Sequence, residues 1–259
     1  MMEVKPPNTD SIDMLVVFGF NKVGKTSNLM HLPNSFVLDL EGSAGYYGGR
    51  YEVLTEYAAK NKVGPATAVL RIADEILAKN KEKGSPIYDY IIIDSITKLE
   101  DIALTYATHL YKKSVIGANF TGTDVTAELP KGAGYLWLWK AFDLLLSPYK
   151  GLAKTLILVG RVKESSINKD DQEIEAIDLD LTGKLKKIIG YDCSGIGILK
   201  KSKDEPFTNI LSFVNTSNDL ATGARVAHLS GKEFVISKYN PDTQVLTTYW
   251  ENVFPNLKS

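Results

Sequence analysis

The residues most suggestive of chemistry lie between Gly19 and Thr26, which read G-F-N-K-V-G-K-T and fit the pattern G-x-x-x-x-G-K-[S/T] without deviation. Glycines allow such a loop to wrap its backbone around a phosphate chain, and Lys25 can reach the β and γ oxygens. The Thr26 hydroxyl can ligate Mg²⁺. Because the segment lies between an apolar run and a helical pattern, we favour this phosphate-binding loop (P-loop) over a glycine-rich turn with a solvated lysine. We expect nucleotide contacts from Gly19, Asn21, Lys22, Val23, Gly24, Lys25, Thr26 and Ser27.

A second motif, Ile91-Ile92-Ile93-Asp94, has the form of a buried strand that delivers a carboxylate at its carboxyl end. In a nucleoside triphosphate site, Asp94 would hold Mg²⁺ or its water. Apolar runs ending in an acid are common, so the motif gains its meaning from the P-loop upstream. Thr26 and Asp94 are therefore the predicted metal ligands.

Hydrolysis also requires a group that orients and deprotonates the attacking water, and the residue directly after Asp94 is Ser95 rather than an acid. A different predicted strand ends in Asp39-Leu40-Glu41-Gly42, and its two acids share a face because side chains alternate with period two. Glu41 is the better candidate, since ligands collect outside the carboxyl ends of strands in open α/β sheets. The alternative role for Glu41 is a helix cap or a loop ion pair.

The elements that must position these residues alternate between strand and helix up to residue 160, which predicts an α/β fold with a mostly parallel sheet flanked by helices. The predicted strands in this part are 14–18, 35–40, 88–93 and 155–159, and the predicted helices are 26–32, 68–77, 96–111 and 135–146. We expect unpatterned loops over 112–131 and 163–171. A strand-rich carboxyl-terminal part follows, with strands at 174–179, 194–199, 208–214, 233–238 and 244–250 and a helix at 184–189. We expect one domain over 1–259, with a core of about 12–200 and an extension of about 201–259.

The composition excludes several classes of protein. A chain of 259 residues with 44% hydrophobic and 24% charged residues has an ordinary soluble composition. Its one cysteine, Cys193, cannot form an internal disulfide or a cysteine-only metal cluster, which favours a reducing compartment. The polar amino-terminal residues lack a signal-peptide pattern, and charges interrupt the apolar stretch 135–160, so we expect a cytoplasmic protein without a membrane span. A net charge of −1 argues against a globally basic nucleic-acid binder.

Taken together, the motifs resemble a known family. The order strand, P-loop, strand ending in D-x-E-G and strand ending in I-D-S resembles the RecA and archaeal RadA recombinase core. The chain is also similar, over nearly its whole length, to bacteriophage RecA-like ATP-binding proteins, which include single-strand annealing proteins. This second resemblance is carried by K-V-G-K-T-S at 22–27, L-D-L-E at 38–41, Y-D-Y at 88–90, D-S-I at 94–96, G-A-R at 223–225 and W-E-N-V-F-P at 250–255.

The resemblance implies a RecA-like P-loop NTPase that uses ATP and Mg²⁺, with Glu41 as the water-activating glutamate and Asp94 as the Mg²⁺ aspartate. It further implies an ATPase that acts on single-stranded DNA in phage recombination or annealing, as a homo-oligomeric filament or ring in the host cytoplasm, with a phage or host single-strand-binding protein as a possible partner. Two other functions stay open. One is a nucleotide-gated DNA-binding module with little hydrolysis. The other is a small-molecule or nucleotide kinase, although the arginines are too scattered to form a kinase lid.

Two arginines are candidate catalytic residues alongside Glu41 and Lys25. The predicted fourth strand ends in Arg161, where RecA-type cores place a Gln, and the phage relatives often a His, that senses the γ-phosphate. Arg161 either contacts phosphate through its bidentate fork or is a surface residue at a strand end. Arg225, in G-A-R, is a candidate trans-acting finger, because RecA-like sites lie between protomers and use cations to stabilise transition-state charge.

In the RecA-like pattern, two loops approach DNA, and they correspond to about 111–134 and 162–178. The candidate DNA-binding residues are Lys112, Lys113, Phe120, Lys131 and Lys163, which combine phosphate contact with base stacking. The second loop also carries acids that would repel DNA, and both segments could be ordinary solvated loops. A further basic concentration, at 184–203, could be a solvated face, a DNA track or a source of cations for a neighbouring protomer.

Overall fold

A computed structural model describes residues 11–169, 172–216 and 222–258, without the side chains of 165–169, 172–176 and 258. Its strands are β1 Met14–Gly19, β2 Ser35–Asp39, β3 Tyr51–Val53, β4 Tyr90–Asp94, β5 Thr155–Lys169, β6 Gln172–Leu179, β7 Gly195–Lys201, β8 Thr208–Ser212, β9 Gly223–Ala224, β10 Glu233–Asn240 and β11 Val245–Thr248. Its α-helices are α1 Lys25–Leu29, α2 Leu54–Asn61, α3 Pro65–Lys83, α4 Ile96–Lys112, α5 Val125–Glu128, α6 Ala133–Leu146 and α7 Gly183–Asp192. Short 3₁₀ turns lie at Ala44–Tyr46, Val115–Gly117, Pro130–Gly132, Ser147–Tyr149, Trp250–Asn252 and Pro255–Lys258.

The described strands form one sheet in the order β11-β10-β8-β7-β1-β5-β4-β2-β3, with β6 paired to β5 and β9 paired to β7. The central strands from β7 to β3 are parallel, whereas β6, β8, β9, β10 and β11 join by antiparallel pairing. The predicted α/β class, with a mostly parallel sheet and a strand-rich carboxyl-terminal part, is confirmed. In the strand register, Gly19 lies opposite Arg161 and Asp39 lies opposite Asp94. The carboxyl ends of β1, β2, β4 and the parallel part of β5, which carry the motif residues, therefore lie at the same end of the sheet.

The sheet is rigid at its centre because both faces are covered. All residues of β1 and β4 are buried, as expected for parallel strands packed on two sides. One face packs against α3, α4 and α6, and the other against α1 and the carboxyl-terminal residues Val226, Leu229, Trp250 and Phe254. Within the described ranges, no helix combines the length and apolar character needed to cross a membrane.

The structure corrects the expected loops. Residues 163–169, which belong to the predicted loop 163–171, continue β5 to Lys169, and β5 pairs with β6 as a hairpin from Val162 opposite Leu179 onward; residues 170 and 171 lie outside the described residues. The strand predicted at 174–179 is confirmed as part of β6. Lys163 and Glu164 are both exposed, so this part of the hairpin has no apolar face to reveal its period, and backbone pairing forms the ladder. Residues 112–131, also predicted as a loop, contain α5 and two 3₁₀ turns.

Besides α5, three elements were missing from the prediction: β3, α2 and the two-residue strand β9. The short strand β3 pairs with β2, and α2 follows it directly. Only Leu54 and Tyr57 of α2 are buried, so the helix has too few apolar positions for a clear helical period.

Candidate functional site

The P-loop connects β1 to α1, and its glycines are required by its geometry. Gly24 has a φ of 98°, in the left-handed region that favours glycine. A Cβ on Gly19 would lie 2.6 Å from the carbonyl oxygen of Leu199 on β7. The neighbouring strand therefore leaves no room for a side chain at the first position of the loop.

Lys25 folds back over the loop that it follows. Its Nζ donates hydrogen bonds to the carbonyl oxygens of Gly19, at 2.7 Å, and Phe20, at 2.9 Å. Burial lowers the pKa of Lys25, while the nearby carboxylates of Asp94 and Glu41 raise it in part opposition. The ammonium group thus has only carbonyl partners that a phosphate oxygen could replace.

Thr26 and Asp94 come together as the sequence predicts. The Thr26 hydroxyl donates a hydrogen bond to Oδ2 of Asp94, which is 4% exposed. Burial, with the charges of Glu41 and Asp39, raises the pKa of Asp94 to about 6, although the Thr26 hydrogen bond and the charge of Lys25 oppose the rise.

This pair fits Mg²⁺. A hydroxyl and a carboxylate are the hard oxygen ligands that Mg²⁺ prefers, and a buried carboxylate without a full counter-charge is stabilised by a cation. The described residues contain no cluster of three or more His, Cys, Asp or Glu side chains placed to hold a metal. A site of one or two protein oxygens is nevertheless usual where phosphates and waters complete the Mg²⁺ shell.

Glu41 lies beside this pair, although it comes from a different strand. Its Oε2 is 2.8 Å from Nη2 of Arg161, and its Oε1 accepts a hydrogen bond from the Ser95 hydroxyl. Burial alone would raise the pKa of Glu41, but the hydrogen bonds from Arg161 and Ser95, with the charges of Arg161 and Lys25, bring it below its ordinary value. Glu41 thus forms the loop ion pair of the alternative interpretation, and it does so in the wall of the cavity; its catalytic role stays a prediction.

Asp39, the other acid of the same motif, has a structural role. Its carboxylate is 1% exposed and accepts hydrogen bonds from the backbone N–H groups of Glu41, Gly42 and Ala44, at 2.7–2.9 Å. These bonds fix the turn that carries Glu41. Asp39 therefore positions the candidate catalytic residue and does not itself enter the cavity.

A cavity of about 260 Å³ joins these groups. It is lined by Asn21, Lys22, Gly24, Lys25, Thr26, Glu41, Ser43, Tyr47, Asp94, Ser95 and Arg161. Sequence reasoning did not select Ser43, Tyr47 or Ser95. Tyr47, which is 48% exposed, lies in the segment 42–51, whose richness in glycine and tyrosine is a signal that could have selected it. Ser95 entered the sequence analysis as a non-acid and as part of the D-S-I motif, without a role of its own.

The other predicted P-loop residues support the loop from behind. Val23 is buried in the core, and the Ser27 hydroxyl donates to the carbonyl oxygen of Gly24 at 3.0 Å. Gly19, Val23 and Ser27 do not line the cavity.

Arg225 lies near the end of the sheet opposite the P-loop, where the strand β1 begins. It follows β9, which pairs with β7 at Gly195, and Gly195 lies opposite Leu15 near the start of β1. The P-loop begins at the other end of β1, at Gly19. Arg225 therefore does not contribute to the nucleotide cavity of its own chain.

The predicted DNA-binding residues lie at two places. Lys112 and Lys113 are exposed at the end of α4, a 17-residue helix about 25 Å long that starts beside the cavity. Lys131 precedes α6, and Lys163 follows Arg161 on the hairpin. The ring of Phe120 is half-buried, with its centroid 5.2 Å from that of Tyr111, so part of it is already covered.

Comparison with known proteins places the chain in a family. A profile described as an AAA domain matches residues 13–239. Similar solved structures include the RadB recombinase, at 14% identity, 89% coverage of both chains and a TM-score of 0.37. The flagellar accessory protein FlaH from Methanocaldococcus jannaschii has 11% identity, coverage of 93% of this chain and 91% of that chain, and a TM-score of 0.39.

A prototypical ATPase from the type III secretion system of pathogenic bacteria has 11% identity and a TM-score of 0.37 over 73% of this chain; the match spans 52% of that chain. Comparison with curated protein sequences gives no match.

The family match begins at β1 and ends within β10, so it includes the P-loop, the Asp94 strand and the antiparallel strands before β11. In the sheet, β5 lies between the P-loop strand β1 and the Asp94 strand β4. The fold is an α/β P-loop fold with a mostly parallel sheet, as the sequence predicts, and the chain belongs to the AAA domain family.

Proposed function

We propose that the chain binds ATP with Mg²⁺ in the cavity beside the P-loop and hydrolyses the γ-phosphate. One observation carries this proposal. Glu41, which follows β2, lines a single cavity with Lys25 and Thr26 of α1 and Asp94 of β4. A phosphate-binding loop alone would support binding, whereas a carboxylate beside it supplies the group that hydrolysis needs.

The roles follow from the present contacts. Lys25 exchanges its two carbonyl partners for phosphate oxygens, which are stronger acceptors because they are charged. Thr26 and Asp94 hold Mg²⁺, which would neutralise charge that develops on the phosphates. Tyr47, at the cavity wall, offers a ring face for the base.

The Arg161–Glu41 ion pair gives the site a resting state. With its pKa lowered by hydrogen bonds, Glu41 is a weak base for water. A γ-phosphate in the cavity would compete for the guanidinium of Arg161, because a phosphate carries more negative charge than a carboxylate. Release of Arg161 then frees Oε2 of Glu41 to orient the attacking water.

Steady-state phosphate release tests the proposal. Lys25→Ala should abolish ATP binding, whereas Glu41→Gln should keep binding and lower kcat by about 10²–10⁴-fold, the usual contribution of a general base. Glu56→Gln, at an exposed position of α2, is the matched control and should behave as the parent chain. Unchanged turnover in Glu41→Gln would remove Glu41 from the mechanism. ATP binding without measurable release in the parent chain would favour the nucleotide-gated binding module, and γ-phosphate transfer to a nucleoside monophosphate would favour the kinase.

We extend the proposal to single-stranded DNA, in recombination or annealing as the phage resemblance implies, with the protein acting as an oligomer. This extension is supported by the strand β5, which runs from the cavity into the hairpin. Arg161 contacts Glu41, and Lys163 follows it two residues later on the same strand. Lys163 also lines a cavity with Tyr135 of α6, which brings the start of α6 near the hairpin. A change at Arg161 on nucleotide binding would therefore be passed directly to these surfaces.

Fluorescence anisotropy with single- and double-stranded oligonucleotides, with and without a non-hydrolysable ATP analogue, tests this extension. We expect tighter binding of single strands with the analogue present. Charge removal at Lys131 and Lys163 together should weaken binding and flatten its salt dependence. Lys60 and Lys62, exposed lysines at the end of α2, provide a matched double substitution that should leave binding unchanged. Equal binding in all variants would show that Lys131 and Lys163 do not contact DNA.

A further inference from the structure

A second cavity lies away from the P-loop. It has a volume of about 640 Å³, within the range of small-molecule sites, and it lies between α7, β9 and the start of β7. Gly195, in its wall, pairs with Leu15 near the beginning of β1, whereas the P-loop follows the end of β1. The two cavities share no residue.

The wall of this cavity carries an excess of positive charge. Lys186, Lys187 and Arg225 line it together with one carboxylate, Asp178. Asp178 forms an ion pair with Lys186. Lys187 and Arg225 are exposed, and neither forms an ion pair with a carboxylate in the described ranges. Three cations against one carboxylate leave two positive charges for a ligand to neutralise.

The rest of the wall is apolar or backbone. Leu179, Ile196 and Ala224 contribute apolar surface, and glycines leave the backbone open. Cys193 also lines the cavity, but burial raises the pKa of its thiol to about 11, so it stays neutral and serves as wall rather than nucleophile. The cavity can therefore hold a neutral or ring-bearing body beside a charged group.

We propose that this cavity is a second ligand site, which takes a phosphate monoester with a ring-bearing body of about mononucleotide size. A phosphate monoester carries a charge of about −1.5 to −2 at neutral pH, which matches the excess on the wall better than a single carboxylate does. Arg225 provides the bidentate fork for the phosphate, and Lys187 provides a second cation. A free nucleoside monophosphate and the 5′-phosphorylated end of a DNA strand share this chemistry.

Binding of AMP to the full chain carrying Lys25→Ala tests the proposal, because that substitution disables the P-loop and separates this site from the proposed ATPase. Isothermal titration should show saturable binding of AMP and none of adenosine. Arg225→Gln and Lys187→Gln should each weaken AMP binding at least tenfold. Lys203→Gln, an exposed lysine outside the cavity, should leave it unchanged. No saturable binding, or equal affinity in all variants, would overturn the proposal.

A second readout needs no change in the cavity. AMP should raise the midpoint of thermal unfolding of the Lys25→Ala chain, because a ligand that binds the folded state stabilises it, and an unchanged midpoint would count against the site. A preference for a 5′-phosphorylated oligonucleotide over its unphosphorylated form would identify a strand end as the source of the phosphate. Binding of AMP without such a preference would identify a free nucleotide.

Discussion

Ser95 joins the structure of α4 to the chemistry of Glu41 through one hydroxyl. Its Oγ accepts the backbone N–H of Lys98 at 3.3 Å, which caps α4, and donates to Oε1 of Glu41. The side chain therefore holds the candidate base in a fixed orientation relative to the strand that carries Asp94. In our proposal Ser95 is a positioning residue, since it acts on the water only through Glu41.

Ser95→Ala should lower kcat about tenfold and destabilise the fold by about 1 kcal/mol through loss of the cap. Ser114→Ala is a matched control, because Ser114 caps the 3₁₀ turn Val115–Gly117 away from the cavity. It should cost similar stability without a change in kcat. Phosphate release and urea unfolding provide the two measurements, and a normal kcat in Ser95→Ala would show that Glu41 needs no partner at that oxygen.

Asp94 predicts a pH dependence of the metal-free fold. Its pKa of about 6 lies above the value of about 3.9 for Asp in an unfolded chain, so the folded chain binds the proton more tightly. Ionisation of Asp94 therefore destabilises the fold as pH rises from about 4 to 7. Asp94→Asn should stabilise the Mg²⁺-free protein at pH 7 by on the order of 1–3 kcal/mol and should gain little below pH 4.

Urea unfolding across that pH range, in the presence of a chelator, measures the effect. Asp101→Asn provides a control at an exposed carboxylate, and its stability should follow the parent curve. A loss of stability at pH 7 in Asp94→Asn would mean that the charged form of Asp94 is the favoured one in the free protein.

At the scale of elements, the sequence reveals what is local and hides what depends on strand order. The P-loop is readable because its glycines, lysine and threonine serve one turn between one strand and one helix. The Arg161–Glu41 contact is not, because it requires β5 to enter the sheet beside β4, with β4 beside β2. The buried strands β1, β2, β4 and β5 were predicted from their apolar runs, whereas the outer part of the β5–β6 hairpin lacks such a run and was predicted as a loop.

Shortening the β5–β6 hairpin tests whether its outer part is needed for ATP turnover or for DNA binding. Glu164 and Ile177 lie opposite each other in the ladder, so residues 165–176 can be replaced by a two-residue Asn-Gly turn without moving Arg161. The shortened chain should keep its ATPase rate without DNA within about threefold, since the cavity residues remain. Because Lys163 is retained and the removed segment carries four acids that would repel DNA, it should also bind single-stranded DNA at least as tightly as the parent chain, measured by anisotropy. Weaker DNA binding would show that the outer hairpin itself contacts DNA, and loss of basal turnover would show that the outer hairpin supports the site.

At the scale of the whole molecule, the carboxyl-terminal segment packs behind the P-loop and supports it through hydrogen bonds. Trp250 is 2% exposed, and its Nε1 donates to the carbonyl oxygen of Asn28 at 2.9 Å. Asn28 in turn donates from Nδ2 to the carbonyl oxygen of Gly24, at 2.6 Å. Residues far apart in the chain thus form a continuous path from the segment after β11 to the P-loop. The extension and the core share one sheet and one buried layer.

Trp250→Phe tests whether this hydrogen-bonded path positions the P-loop. The smaller ring keeps most of the apolar packing but leaves the carbonyl of Asn28 without its indole donor, at a cost of about 1–3 kcal/mol in unfolding free energy. Because Asn28 bonds to Gly24, the loosened helix start should raise KM for ATP severalfold while kcat, which depends on Glu41, changes less. Trp139→Phe, on half-buried α6 surface beneath Lys184, is the matched control. It should lower stability without a change in KM, so an equal KM in the two variants would show that the carboxyl-terminal segment stabilises the fold without positioning the P-loop.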